Sequence, residues 1–264
     1  MKEAKRLLVL AASLLLFAGC GGQVGDPRKV NASVGTWNYG GQNVGVAYVL
    51  WADLPQPTSP DGFTLTISGP NNFSWSPAFR FRRSTAGAAF WWLTESSLVP
   101  PSGSYTLSAN LTEGLTLNRT MSVNASSTLP QPQNVSLETI TSNSARVTWS
   151  PVSGAKSYFV ELWQLDDQNR PSVYRLGWFT TSTQYQFTQA AGITLPPGNY
   201  RARVFAANVD FTRLPTPGQA SQLDPQLLLS SAWSAQALQV QSAGTLRVLD
   251  LGPVSDPGVA GGQE

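Results

Sequence analysis

Few residues in this chain are equipped for chemistry. One thiol, Cys20, serves all 264 residues, and there is no histidine. Without His, a Ser-His-Asp relay cannot be assembled, and zinc sites of the Cys/His type lack ligands. A single Cys also rules out an intrachain disulfide. A Ser-Lys dyad would have to use Lys29 or Lys156, the only lysines beyond Lys2 and Lys5. Lys29 falls in a predicted tether and Lys156 leads a predicted strand, and both positions favour solvent. The carboxylates are sparse and scattered singly. A carboxylate hydrolase with paired acids therefore stays as an alternative that spacing neither supports nor removes. The one acidic cluster, Asp166-Asp167-Gln168-Asn169, offers oxygen ligands of the kind calcium takes, and it equally suits a polar hairpin turn. The expectation is a non-enzyme with no cofactor and no metal.

Binding chemistry has more candidates. Trp91 and Trp92 are adjacent, and adjacent residues of a strand face opposite sides. Both cannot enter one core, so one is exposed or covered by something else. In Phe79-Arg80-Phe81-Arg82 the same alternation turns the Phe residues inward and Arg80 and Arg82 outward. An outward Trp beside outward Arg makes a stacking and anion-binding surface suited to glycans or to a partner protein. A second candidate is a segment of more than twenty residues from Val209 to Ser231, too long for an ordinary hairpin. Phe211, Arg213, Leu227, Leu228 and Leu229 are its candidate contact residues. Loops of this length are functional or disordered more often than not, and the Leu triplet argues that part of this one packs.

The elements that must position these residues are strands. Hydrophobic residues make up 41% of the chain and charged residues 12%, against roughly 25% charged in an ordinary domain. Period-2 alternation recurs over Val44–Trp51, Phe63–Ser68, Ala89–Leu93, Tyr105–Leu111 and Leu115–Val123. It recurs again over Asn134–Thr139, Ala145–Trp149, Ser157–Gln164, Val173–Phe179, Thr183–Phe187, Asn199–Ala207 and Ala232–Val240. Turn-rich breaks separate these runs, and no long 3.6-residue period appears. The proline-bearing stretch Asn124 to Gln133 divides the two series as a linker. This pattern predicts an all-β chain of two tandem antiparallel β-sandwiches. Six Asn-X-Ser/Thr sequons occur, at Asn31, Asn72, Asn110, Asn118, Asn124 and Asn134, and they reflect the Ser/Thr-rich character of the chain.

Two resemblances sharpen this reading. Lys2, Lys5 and Arg6, the apolar run Leu7 to Phe17, and Leu16-Phe17-Ala18-Gly19-Cys20 resemble the signal peptide and lipobox of bacterial lipoproteins. The resemblance implies a diacylglyceryl group on the Cys20 sulfur, cleavage before Cys20, and acylation of the freed amine. Phe17 stands where that family more often has Leu. Gly21, rather than Asp, leans toward the outer membrane in a host that has one. Of 17 basic and 15 acidic residues, residues 1–19 hold three and one, leaving 14 and 14. A neutral mature chain gives no attraction for nucleic acid. The second strand series is similar to the fibronectin type III family. The similarity rests on Pro132-Gln-Asn-Val-Ser-Leu137, Ala145-Arg-Val-Thr-Trp149, Tyr158-Phe-Val-Glu-Leu162, Leu195-Pro-Pro-Gly-Asn-Tyr200 and Ser231-Ala-Trp-Ser234. It implies that Trp149 fills the core and that Tyr200 forms a tyrosine corner, its phenol bonding back to the backbone. Val99-Pro-Pro-Ser-Gly-Ser-Tyr105 resembles the same corner in the first series.

These readings divide the chain into a signal peptide (1–19), a lipidated Cys with its tether (20–31), a divergent immunoglobulin-like or fibronectin-like sandwich (32–124), a linker (125–132), a fibronectin type III-like domain (133–243) and a mostly disordered extension (244–264). The implied function is an envelope lipoprotein, anchored to a membrane through Cys20, that binds or scaffolds an envelope protein or glycan.

Overall fold

The computed structural model describes residues 26, 28–41, 43–54, 60–79, 81–85, 88–111, 114–188, 195–241, 245–251 and 259–260, with 81–85 and 259–260 as backbone only. The leader, Cys20 and most of the tether lie outside them. The first half forms strands β1 (Val30–Tyr39), β2 (Asn43–Ala52), β3 (Thr64–Ser68), β4 (Ser74–Trp75), β5 (Phe81–Thr85), β6 (Ala88–Glu95), β7 (Gly103–Asn110) and β8 (Thr116–Val123). β4-β3-β7-β8 make one sheet, and β5, β6, β2 and β1 pair in sequence to make the facing one. Between them lies a core of alternate residues: Val46, Tyr48 and Leu50 from β2, Trp91 from β6, Ile67 from β3, and Tyr105 and Leu107 from β7.

The second half forms β9 (Ser136–Thr141), β10 (Ser144–Thr148), β11 (Ser157–Leu165), β12 (Pro171–Thr180), β13 (Gln184–Thr188) and β14 (Gly198–Ala207). It continues through a 3-10 helix (Ala220–Leu223) to β15 (Leu227–Trp233), β16 (Gln236–Val240), β17 (Leu246–Asp250) and β18 (Val259–Ala260). β13-β10-β9 is one sheet, and the other is built on β12-β11-β14, with β15 and β16 following each other along the same edge of β14. Trp149, 5% exposed, sits in this core against Tyr158 at 5.2 Å. Both tyrosine corners are present: the Tyr105 hydroxyl donates to the Pro101 carbonyl at 2.7 Å, and that of Tyr200 to Pro196 at 2.6 Å. Each has a glycine two residues before the tyrosine, Gly103 and Gly198, at φ 144° and 150°, where a side chain would be strained.

The sandwiches are not beads on a string. β1 pairs antiparallel with β2 over all ten of its residues and also pairs in parallel with β15, from Gly35↔Leu227 to Asn38↔Ser230. The two inner sheets thereby become one eleven-stranded sheet that runs through both halves. Gly35 makes this joint possible, because a Cβ there would overlap the Leu227 carbonyl.

Three boundaries move as a result. β1 begins at Val30 and Asn31 is 1% exposed, so the tether ends earlier than residue 31. Residues 125–132 are held by hydrogen bonds from side chains of β1 and β15. Thr36 Oγ1 donates to the Ser127 carbonyl (2.6 Å), Asn38 Nδ2 to Leu129 (2.9 Å) and Ser230 Oγ to Pro130 (2.7 Å). The second sandwich extends past residue 243, because β17 pairs with β16 from Gln236↔Asp250 to Val240↔Leu246.

Candidate functional site

The joint between the sandwiches gathers a large cluster of buried aromatic side chains together with Arg119, Glu161 and Arg203. In the sheet, β6 and β11 are separated by β2, β1, β15 and β14. Flat, this spacing would put them about 24 Å apart, since neighbouring strands lie about 4.8 Å from each other. Yet the rings of Trp92 on β6 and Phe159 on β11 are 5.5 Å apart, and Phe90 on β6 lies 5.7 Å from Phe179 on β12. The sheet therefore curls on itself, and its concave face closes over a third core. Trp37, Val49, Trp51, Phe90, Trp92, Phe159, Phe205 and Leu229 fill it. These are the residues that alternate with those of the two sandwich cores. Strands buried on both faces read as continuous apolar runs, which is the reason for Val-Ala-Tyr-Val-Leu-Trp in β2 and Ala-Ala-Phe-Trp-Trp-Leu in β6.

The long insertion is the plug of this core. Phe211 stacks on Phe90 at 5.7 Å with the rings 1° from parallel, and lies 6.0 Å from Trp92. Ser157 Oγ donates to the Val209 carbonyl (2.7 Å) and accepts from Phe211 N (3.0 Å), and Trp51 Nε1 donates to the Leu214 carbonyl (2.6 Å). Asn208 ties the two ends of the segment, donating to the Gln226 carbonyl and accepting from Leu228 N, both at 2.8 Å.

The predicted binding residues separate accordingly. Trp91 and Trp92 are each 1% exposed. Trp91 faces the first core against Phe63 and Phe79, and Trp92 faces the third. Alternation does send them to opposite sides, but the second side is covered, so neither offers a stacking face to a glycan. Arg80 lies outside the described residues. Arg82 is placed by its backbone opposite Trp91 in the β5–β6 pairing. In the insertion, Phe211, Leu227 and Leu229 are buried, Leu228 is half-buried toward the second core and Arg213 is exposed. The insertion is thus packed against both its own sandwich and the neighbour. The acidic cluster forms the β11–β12 turn. Asp166 Oδ1 accepts from the backbone of Gln168 and Arg170, both at 2.9 Å, and these bonds hold its carboxyl below the usual range. Among the described residues no three acidic, His or Cys side chains group as metal ligands.

Sequence reasoning passed over two polar features of the joint. Arg119 on β8, 9% exposed, reaches across to β1 and the plug. Its Nη1 donates to Asn31 Oδ1 (2.7 Å) and to the carbonyls of Ala32 (2.7 Å) and Leu223 (2.9 Å), and its Nη2 to that of Asp224 (2.7 Å). Two of these acceptors are carbonyls at the end of the 3-10 helix, which a guanidinium is well placed to satisfy. Burial lowers the Arg119 pKa, opposed by Asp224. On the other side of the joint, the Arg203 guanidinium lies over Phe205 (4.7 Å), Trp233 (5.0 Å) and Trp37 (5.1 Å). Arg203 is opposite Glu161 in the β11–β14 register, and both are fully buried. Burial, with Glu161 next in importance, pushes the Tyr174 phenol up. Arg119 shares the inward phase of β8 with Leu117, Met121 and Val123, so alternation marks it as facing in, but nothing local names its target, which lies about a hundred residues away.

Between the β1–β2 turn, residues 131–135 and the bend from β15 to β16 lies a groove of about 630 Å³. Tyr39 and Trp233, both half-buried, and the exposed amides of Asn43, Gln133 and Asn134 line it.

No protein-family model matches the chain, and no curated protein matches it. Among solved structures, fibronectin type III domains are similar to it. FN3tt is 22% identical, covering 41% of this chain and 97% of its own at a TM-score of 0.24. The chicken CNTN1 FN1-FN3 domains are 14% identical, covering 88% of this chain and 69% of theirs at 0.29. The two fibronectin type III domain segment of chicken tenascin is 16% identical, covering 61% and 83% at 0.25. The fold is fibronectin type III and immunoglobulin-like. At these TM-scores the strand pairings, rather than the likeness, establish it.

Proposed function

We propose that this chain is a lipid-anchored, non-catalytic scaffold of a bacterial cell envelope, moored through Cys20, in the outer membrane where the host has one. Modules of this fold are commonly binding and scaffolding units, an analogy from architecture. The observation that carries the reading is the place of β1. The strand that follows the tether is not an edge: it is paired on both sides and locks the two sandwiches together. Load applied at the anchor therefore enters the middle of the shared sheet. Gly21 to Lys29 span at most about 32 Å when extended, which keeps the sandwiches close to the bilayer. No helix among the described residues is long and apolar enough to cross a membrane, so in this reading the acyl chains supply the attachment. One chain alone holds marginally and two or more hold firmly. The test is fractionation of the native host expressing the chain or its Cys20→Ser variant. The parent is expected with the membranes and the variant in the soluble exported fraction. Equal distribution of the two contradicts the anchor.

A further inference from the structure

We infer that the groove at the joint is a binding site for a neutral saccharide. Its described lining contains no Asp, Glu, Lys or Arg, so an ionic ligand would find no counter-charge. What it does present is acceptors. Asn43 Nδ2 donates to the Gly40 carbonyl (3.0 Å) and Gln133 Nε2 to the Gln131 carbonyl (3.2 Å). Only an amide nitrogen can make those bonds, so the network fixes which way both amides point. It leaves Asn43 Oδ1 and Gln133 Oε1 with no protein partner among the described residues. Two oriented acceptors beside the partly open rings of Tyr39 and Trp233 match a ligand that donates through hydroxyls and rests C–H faces on aromatic rings. The rings are held from behind, Tyr39 stacked on Trp37 at 4.2 Å and Trp233 under the Arg203 guanidinium at 5.0 Å. The site is therefore built before a ligand arrives. Its volume falls within the roughly 300–1,000 Å³ of small-molecule sites, which favour junctions between domains.

A peptide fits the same groove less well. An extended peptide gains most of its affinity from an open backbone ladder. Here the linker occupies that edge: Gln131 Nε2 donates to the Ser231 carbonyl (3.1 Å) and Ala235 N to that of Val135 (3.4 Å).

The test titrates the full chain, in a zwitterionic detergent, with maltohexaose, cellohexaose and tetra-N-acetylchitotetraose to about 10 mM. This range covers dissociation constants up to about 1 mM. Indole fluorescence and calorimetry report binding, and a neutral decapeptide is the control. The Asn43→Leu/Gln133→Leu double variant alters two exposed side chains and is expected to keep the parent urea midpoint. At least one oligosaccharide should bind the parent, and the double variant should weaken that binding about tenfold or more. Absence of saccharide binding, binding that the double variant leaves unchanged, or binding of the decapeptide in place of the sugars overturns the assignment. Cys20→Ser leaves the groove untouched, so failure of the anchor and failure of this site are read separately.

Discussion

Arg119 does for the joint what no apolar residue can do, because it satisfies three carbonyls and an amide oxygen from two separate segments, β1 and the end of the 3-10 helix. Removing a partner from buried polar groups costs about 1–3 kcal/mol for each group left bare. Arg119→Met is therefore expected to lower stability by about 3 kcal/mol in urea denaturation. Asp224→Asn, at a carboxylate 65% exposed and 3.7 Å from the guanidinium, is expected to cost less than about 1 kcal/mol. Trp92→Ala should cost about 3–5 kcal/mol, as for a large aromatic taken from a closed core, and the loss should appear in both sandwiches at once. The tyrosine corners make a pH prediction. Burial pushes the Tyr105 phenol up to about 12, above its ordinary value of about 10. The folded state then holds this proton more tightly than the unfolded one. Its contribution is intact below pH 10 and is lost as pH rises toward 12. Thermal midpoints over that interval should fall less steeply in Tyr105→Phe than in the parent. Both corners were legible from Pro-Pro before Gly-x-Tyr, because a local hydrogen bond four residues long leaves a local signature. The opposed faces of Trp91 and Trp92 were legible too, but what covers Trp92 was not, since its cover arrives from residues 159, 205 and 211.

At the level of elements, most strands showed themselves through alternation, and the exceptions are informative. β1 was not read as a strand, and the tether was carried through Asn31, because Asn31 and Ser33 look solvent-facing. They are polar groups buried by partners distant in sequence: Asn31 Nδ2 donates to the Ala220 carbonyl at 2.9 Å and Ser33 Oγ to that of Pro225 at 2.7 Å. Most of β15 was assigned to the insertion and its end was joined to β16 as one strand, Ala232–Val240, since the bend at Ser234 has no Gly or Pro to announce it. Ser234 makes the bend with its own side chain, which accepts from Ala202 N (3.2 Å) and donates to the Gln236 carbonyl (2.7 Å). The β1–β15 pairing left no trace, because strand partners are a long-range choice. Its one local requirement is Gly35. Gly35→Val would drive a side chain into the backbone of β15. It should destabilise the protein by about 3 kcal/mol, the upper end for overpacking, while Gly41→Ala, with no atom within 4 Å of its Cβ, should show only the smaller cost of its φ of 94°.

For the whole molecule, the shared sheet and the third core make one structural unit of what composition presents as two modules and a linker. A protein of this kind is expected to unfold in a single transition seen alike by indole fluorescence and far-UV circular dichroism, where tandem modules on a hinge would give two. The central claim, that β1 and β15 bind the halves together, is tested most directly by native-state amide hydrogen exchange at Gly35–Asn38 and Leu227–Ser230. The account predicts that the amides bridging these two strands exchange only through global unfolding, with the slowest amides of β2 and β14. Exchange at these positions far faster than in β2 and β14, while both sandwich cores stay protected, would contradict it.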